Sequence, residues 1–332
     1  MDIVTQGLAG AILAQSFAKD KEVRVAMVVG FLAGLLADVD AVLTFFASDP
    51  LLQLDFHRHF SHSIFFIPIG GLCATLLMWP VLKKHLSFKR LLLFCTVAYA
   101  TSGLIDTCTS YGTSLLWPFS DARIAWSIVS ILDPLFSLAL IIAIVLTLLK
   151  KNPRYAFAGI AFACSYLLLG FVQHERVRTM TMDLAQSRGH EVERIEVKPT
   201  MGNLLLWRAI YESKGSFYID AYRASMLGDD KVYEGEKVKR FMASDLATLQ
   251  VNSTMAKDIQ RFDFFSSGFV ALFTGKETMV GDIRYSMLAN SSQPIWGIVL
   301  DMNQQDQHTP FVQYHDASKQ TRQQFMSMLL GE

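Results

Sequence analysis

Two short motifs carry most of the chemistry available to this sequence: the pair Asp38-Val39-Asp40 and the run His57-Arg58-His59-Phe60-Ser61-His62. Asp106 and Asp133 are further acids set in apolar surroundings. Carboxylates and imidazoles converging on one region make a ligand set for zinc, manganese or iron. Several carboxylates with two or three histidines suffice for two ions about 3.5–4 Å apart, a site that splits phosphate esters by in-line attack of an activated water. Arg58 beside the histidines suits a phosphate, because its planar fork donates in pairs. On this reading Asp38, Asp40, His57, His62 and Asp106 hold the metal. Arg58 steadies the anionic group under attack, and His59 relays a proton or orients a ligand from behind. Asp133, before Pro134, reads equally well as a helix cap. Asp49 and Asp55 read as loop acids, and His85, His174, His190, His308 and His315 as solvated surface residues.

The elements that must position these residues are apolar. Of the 332 residues, 52% are hydrophobic and only 18% charged, against about 25% in an ordinary soluble domain. Thirty basic and thirty acidic residues give a net charge of zero, which excludes a nucleic-acid binder and a disordered chain. Four cysteines are too few for a disulfide scaffold. The average hides a division, since only 22 of the 60 charged residues fall in residues 1–173. Stretches 25–46, 63–82, 91–117 and 127–149 are long and apolar enough to span a bilayer, with a fifth at 155–172 and a shorter one at 3–18. The expected fold is an α-helical membrane domain of about five to six helices over 1–173, followed by a soluble α+β domain over 174–332.

Lys19, Lys21 and Arg24, then Lys83, Lys84, Lys89 and Arg90, then Lys150, Lys151 and Arg154 mark alternate loops as cytoplasmic. The acids and histidines then gather at the opposite face, and the C-terminal domain is expected to be periplasmic in a Gram-negative inner membrane. In that domain strands are expected at 192–197, 204–211, 216–222, 282–288 and 295–301, and helices at 244–261 and 316–330. Trp207, Tyr211, Phe217, Tyr218 and Tyr222 read as core, and Asp282 with Arg284 as a surface salt bridge.

The first domain also resembles a known family. Val4-Thr-Gln-Gly-Leu-Ala-Gly10, Gly34-Leu-Leu-Ala-Asp-Val-Asp40, His57-Arg-His-Phe-Ser-His-Ser63, the run from Asp106 to Phe119 and Asp133-Pro-Leu-Phe136 are similar to the YdjM/YbcI family of inner-membrane metal-dependent hydrolases, described as LexA-binding and membrane-associated. The resemblance covers roughly residues 1–150. It implies a membrane-embedded hydrolase using a divalent metal, zinc first and manganese or iron as alternatives, with Asp38, Asp40, His57, His62 and Asp106 as ligands. The implied partners are membrane lipids and a lipid or phosphoester substrate. Gln6 and Ser102 stand where relatives carry histidine, and Ala37 where a proline is usual. If both lost histidines bound metal, this chain holds one ion instead of two, or none that works. The rival readings are therefore a catalytically degenerate membrane anchor for the outer domain, and a transporter that uses intramembrane acids as a relay.

Overall fold

The computed structural model describes residues 1–40, 48–273, 275–314 and 318–332. The end of the stretch expected over 25–46, and His315, lie outside the described residues. The chain divides into two compact bodies. One comprises Met1–Phe45, Phe56–Val172 and Met201–Asn203; the other comprises Phe46–Asp55, Gln173–Thr200 and Leu204–Glu332.

The first body is helical: α1 (Ile3–Ser16), α2 (Val23–Leu35), α4 (Ile67–Leu82), α5 (Phe88–Thr107), α6 (Pro134–Lys150) and the first part of α7 (Arg154–Ser187). The short α3 (Leu52–Phe56) ends where this body resumes after residues 46–55. Asp2 caps α1, accepting from the backbone N–H of Val4 and Thr5, and Ser87 caps α5. Helices α1 and α2 cross backbone to backbone. A Cβ added to Gly10 would lie 2.4 Å from the Gly30 carbonyl oxygen, the close approach that small residues give membrane helices.

The helix boundaries differ from those expected. The stretch over 25–46 is interrupted after Leu35 by a 3-10 turn at Leu36–Asp38 and is α-helical again at residues 39–40. The stretch 91–117 is helical only to Thr107, after which the chain pairs Thr113 with Ile124. The stretch 127–149 starts at Pro134, where Asp133 is the cap and proline suits the first turn. The stretch 155–172 runs on to Ser187. Among the described residues, three helices are long and apolar enough to cross a membrane: Ile64–Leu82, Phe88–Thr107 and Arg154–Ser187. Ile3–Ser16 and Pro134–Lys150 are apolar but shorter, so the expected five to six membrane helices are not clearly matched.

The second body carries two four-stranded antiparallel sheets in simple strand order. The first is β1 (Arg194–Pro199), β2 (Leu206–Ser213), β3 (Ser216–Arg223) and β4 (Lys231–Lys239); the second is β5 (Val270–Phe273), β6 (Lys276–Asp282), β7 (Trp296–Val299) and β8 (Phe311–Gln313). Strands β2 and β3 are joined by Lys214-Gly215, both at positive φ, the backbone a two-residue hairpin turn demands. The strand expected at 282–288 is displaced: β6 ends at Asp282. Strands β4, β5 and β8 had no expected counterpart, because β4 is almost wholly exposed and the other two are short. Helices α8 (Thr254–Phe265) and α9 (Lys319–Leu330) occupy only the later part of the two helical stretches expected.

Trp207, Tyr211, Phe217 and Tyr222 are fully buried, as core aromatics should be. The Asp282–Arg284 pair is buried too, contrary to the expected surface bridge, because Arg284 also donates to the Phe265 carbonyl. A second core gathers Phe241, Met255, Ile259, Phe262, Val270, Val280, Ile298 and Leu300. Phe262→Ala in this core should cost about 3–5 kcal/mol through lost burial and a residual cavity, read as a lower midpoint for unfolding of this body.

Candidate metal centre

The site is assembled from four places in the helical body. Asp38 and Asp40 sit at the break after α2, His57–His62 in the connection before α4, Asp106 in the last turn of α5, and Gln6 on α1. His62 is the hub. Its Nε2 lies 3.2 Å from Asp38 Oδ1 and 3.2 Å from Asp106 Oδ2. Its Nδ1 lies 3.0 Å from Ser61 Oγ and 3.5 Å from Asp40 Oδ2. Ser61 Oγ donates to Asp40 Oδ2 at 2.6 Å, and His57 Nδ1 lies 3.2 Å from Asp40 Oδ1. The five residues expected as ligands are thus brought together in space.

They form two donor groups, Asp38–His62–Asp106 and Asp38–Asp40–His57, each with its ligand atoms within 4.8 Å of one another. Asp38 belongs to both. Asp40, His62 and Asp106 side chains are 0–1% exposed, whereas Asp38 and His57 are 15% and 23% exposed, so the donors open to solvent on one side.

The donor set fits a cation on the structure's own terms. Gln6 Oε1 is buried with no hydrogen-bond partner among the described residues, which is costly for such a group, and Asp38 Oδ1 and His62 Nε2, though 3.2 Å apart, make no aligned hydrogen bond. Burial alone would lower the His62 pKa, but the carboxylates of Asp106, Asp38 and Asp40 outweigh it and push it up to about 10. Asp106 also meets Arg58, so the carboxylates with the least cationic company are Asp38 and Asp40. A metal at this histidine must displace its proton. Zinc affinity should fall about tenfold for each unit of acidification below that pKa while one proton is exchanged, measured by chelator competition across neutral and alkaline pH.

Backbone geometry serves the same cluster. Arg58 adopts φ 61°, uncommon for a residue with a side chain, and its N–H thereby reaches Asp40 Oδ2 at 2.9 Å. Its guanidinium is buried, with Nε 3.0 Å from Asp106 Oδ2, and donates to Thr109 Oγ1 and the Met1 carbonyl. The Met1 amino group also lies on Asp106. His59 turns elsewhere, its ring 5.6 Å from that of Trp117 and 6.2 Å from that of Phe56. Gln6 donates to Asp106 Oδ2 at 2.8 Å. Ser102, one turn before Asp106 on α5, instead gives its hydroxyl to the Gly34 carbonyl and fastens α5 to α2. Asp133 acts as a cap: it accepts from the Phe136 N–H and from Tyr166 Oη.

Ser61 and Tyr99 were missed in the sequence. Ser61 bridges Asp40 to His62, and Tyr99 Oη donates to the Ser61 carbonyl at 2.7 Å. The signal for Ser61 was its place inside the histidine run; Tyr99 gave none, being one aromatic among many in an apolar helix. Of the histidines read as solvated, His174 lies 3.0 Å from Glu175, His190 lies 2.8 Å from Tyr211 Oη, and His308 sits on Asp258.

Residues 1–177, which contain every one of these donors, match the family described as YdjM inner membrane protein. The chain belongs to the YdjM family. A curated relative, the uncharacterized protein YfhP of Bacillus subtilis (strain 168), is 24% identical over 196 residues, 58% of this chain and 58% of that relative. The chain thus matches a little over half of the relative's length. No solved structure matches. As a member of the YdjM family the chain is a membrane-associated protein of an inner-membrane family, with apolar helices to suit and residue groups that could hold a metal ion.

Proposed function

We propose that this protein is a membrane-bound, metal-dependent hydrolase acting on a phosphoester or lipid-linked substrate. The observation that carries the reading is the shared carboxylate: Asp38 belongs to both donor groups, as a ligand bridging two ions would. Asp38, Asp40, His57, His62 and Asp106 would hold the metal, with zinc best suited to the imidazoles and manganese or iron to the carboxylate share. A divalent ion in such a site supplies Lewis acidity and a water acidic enough to attack near neutral pH.

The chain's own residues do the rest. Ser61 and Asp40 fix the His62 ring, so its Nε2 stays aimed between Asp38 and Asp106. Arg58, held against Asp106 and bonded to Thr109 and the Met1 carbonyl, would have to offer its remaining N–H groups to an anionic substrate group. His59, packed on Trp117, positions the run that carries both ligand histidines. Multi-pass insertion in the inner membrane with residues 174–332 on the periplasmic side follows from the distribution of basic loops and belongs to the same proposal.

The test is metal analysis of detergent-purified protein together with a panel of phosphoesters and phospholipids. Metal retention with turnover that chelator abolishes and zinc or manganese restores supports the reading; absence of bound metal overturns it. Gln6, which meets Asp106 through its amide nitrogen, favours a second reading, a site that keeps metal but has lost catalysis. Metal retention without turnover on any ester in the panel would select it.

A further inference from the structure

The chain between α5 and α6, apolar enough to read as helix up to residue 117, lies instead along the histidine run, within the same body as the metal centre. It first folds back on itself: the Thr113 N–H donates to the Ile124 carbonyl at 3.1 Å and the Ile124 N–H to the Thr113 carbonyl at 2.8 Å. Gly112 permits the fold, with φ 72° and a Cβ position only 2.8 Å from the Ile124 carbonyl oxygen. The turned-back chain then engages the backbone of the run. The Ser114 N–H donates to the Arg58 carbonyl at 3.0 Å and the Ile64 N–H to the Leu115 carbonyl at 3.0 Å, while Ser63 Oγ donates to the Trp117 carbonyl.

Arg123 extends this hold to a ligand candidate itself. Its Nη1 donates to the His57 carbonyl and its Nη2 to the Gly112 carbonyl, both at 3.2 Å. Its guanidinium carbon is 4.8 Å from the centre of the Tyr111 ring. The Arg58 guanidinium carbon is 5.0 Å from the same ring centre, and the His57 ring centre is 5.7 Å from it. One aromatic ring thus packs against His57, against the arginine that meets Asp106 and against the arginine that holds the His57 carbonyl. Such support matters more for His57 than for His62. The His62 side chain is 0% exposed and enclosed by Asp38, Asp40 and Asp106. That of His57 is 23% exposed and lies on Asp40. Enclosure aims the first imidazole; the second takes its aim from its backbone and from the ring packed on it. A planar guanidinium bonded to two carbonyls and stacked on an aromatic face fixes direction as well as distance.

We infer that Arg123 and Tyr111 are positioning residues of the metal centre: Arg123 fixes the His57 backbone and Tyr111 the tilt of its imidazole, so that the donor group Asp38–Asp40–His57 is set before an ion arrives. The inference rests on the metal-centre reading above and deepens it, because the two donor groups then differ in what supports them. Arg123 acts on the group that contains His57, and enclosure by carboxylates serves the group that contains His62.

The test uses full-length protein in detergent. Zinc affinity comes from chelator competition, and cobalt(II), which takes the same nitrogen and oxygen donors, reports their arrangement in its visible spectrum; the thermal midpoint is read alongside. Arg123→Gln should weaken zinc binding at the His57 group about 10–100-fold, the range seen when supporting partners of metal ligands are removed, and should alter the cobalt spectrum. Made in a His57→Ala background, the same change should leave affinity for the remaining ion within about twofold, because Arg123 acts through His57. Tyr111→Leu should reproduce Arg123→Gln and carries the test if that variant does not fold. Tyr111→Phe, which keeps the ring, should recover both affinity and spectrum. Zinc affinity within about twofold of wild type in both Arg123→Gln and Tyr111→Leu, or an equal loss from Arg123→Gln with and without His57, would overturn the inference. Wild-type protein that binds neither zinc nor cobalt would overturn the metal-centre reading and this inference with it, an outcome told apart by the wild-type titration alone.

Discussion

Asp38→Ala should strip the protein of bound divalent metal. Asp38 is the carboxylate common to both donor groups, and it is one of the two groups open to solvent. Losing it removes a ligand from each half of the site at once and leaves His62 facing only Asp106 and Asp40. Removal of supporting partners alone weakens metal binding about 10–100-fold, so loss of a shared ligand should exceed about 100-fold. His57→Ala should be milder, because His57 belongs to one group only; about one equivalent of metal should remain on a two-ion reading. Elemental analysis and chelator competition on wild type and both variants measure this. Equal metal content in Asp38→Ala and His57→Ala would sink the shared-ligand arrangement. Activity need not be known for the comparison, which rests on binding alone.

Gly103→Ala should damage the same site without touching a ligand. Gly103 lies on α5, one turn before Asp106, and a Cβ there would sit 2.1 Å from the His62 carbonyl oxygen and 3.1 Å from its carbonyl carbon. The obstacle is backbone, so no side chain can rotate away. Overpacking of this kind costs typically about 1–3 kcal/mol, and relief requires the histidine run to move off α5. Because His62 is held within 3.2 Å of Asp106 on that same helix, any such movement separates two donors of one group. A fall in zinc affinity of about 10–100-fold is expected, the range for lost supporting structure. Ser102→Ala is the control: it removes one hydrogen bond to Gly34, worth about 1 kcal/mol, and should leave zinc affinity near wild type. Similar affinities in the two variants would show that contact with α5 does not position His62.

Both predictions depend on parts of the molecule that differ in how far the sequence revealed them. Residue type was enough for the ligand candidates: an acid or an imidazole in apolar surroundings needs a partner or a purpose, and few such residues exist in residues 1–173. Residue type was also enough for the division of the chain, since charge density changes along it, and for the aromatic core of β2 and β3, where Trp207, Tyr211, Phe217 and Tyr222 recur at strand spacing. Helix boundaries were less legible. Hydropathy does not distinguish an apolar helix from an apolar loop, so the chain beyond Thr107 read as helix, and the 3-10 turn at Leu36–Asp38 passed unnoticed. Gly281-Asp-Ile-Arg284 read as a surface pair because burial is a property of what packs above a strand, and here Phe265 and Ser267 close over it.

The sequence by itself determined which atoms are available: five donors, an arginine beside them, apolar helices to carry them, and a charge-rich second domain. Tertiary structure alone decided their use. It made Asp38 common to two donor groups, turned His59 toward Trp117, gave Asp106 to Arg58 and Gln6, and spent Ser102 on helix packing. It also drew Leu51 into the second body's core and placed Arg261, more than two hundred positions away in the chain, against Asp49 and Asp55. The physical reason is common to all of these. Donor chemistry is local to a side chain, whereas convergence and charge neutralisation depend on which distant segments the burial of apolar surface brings within a few ångströms of one another.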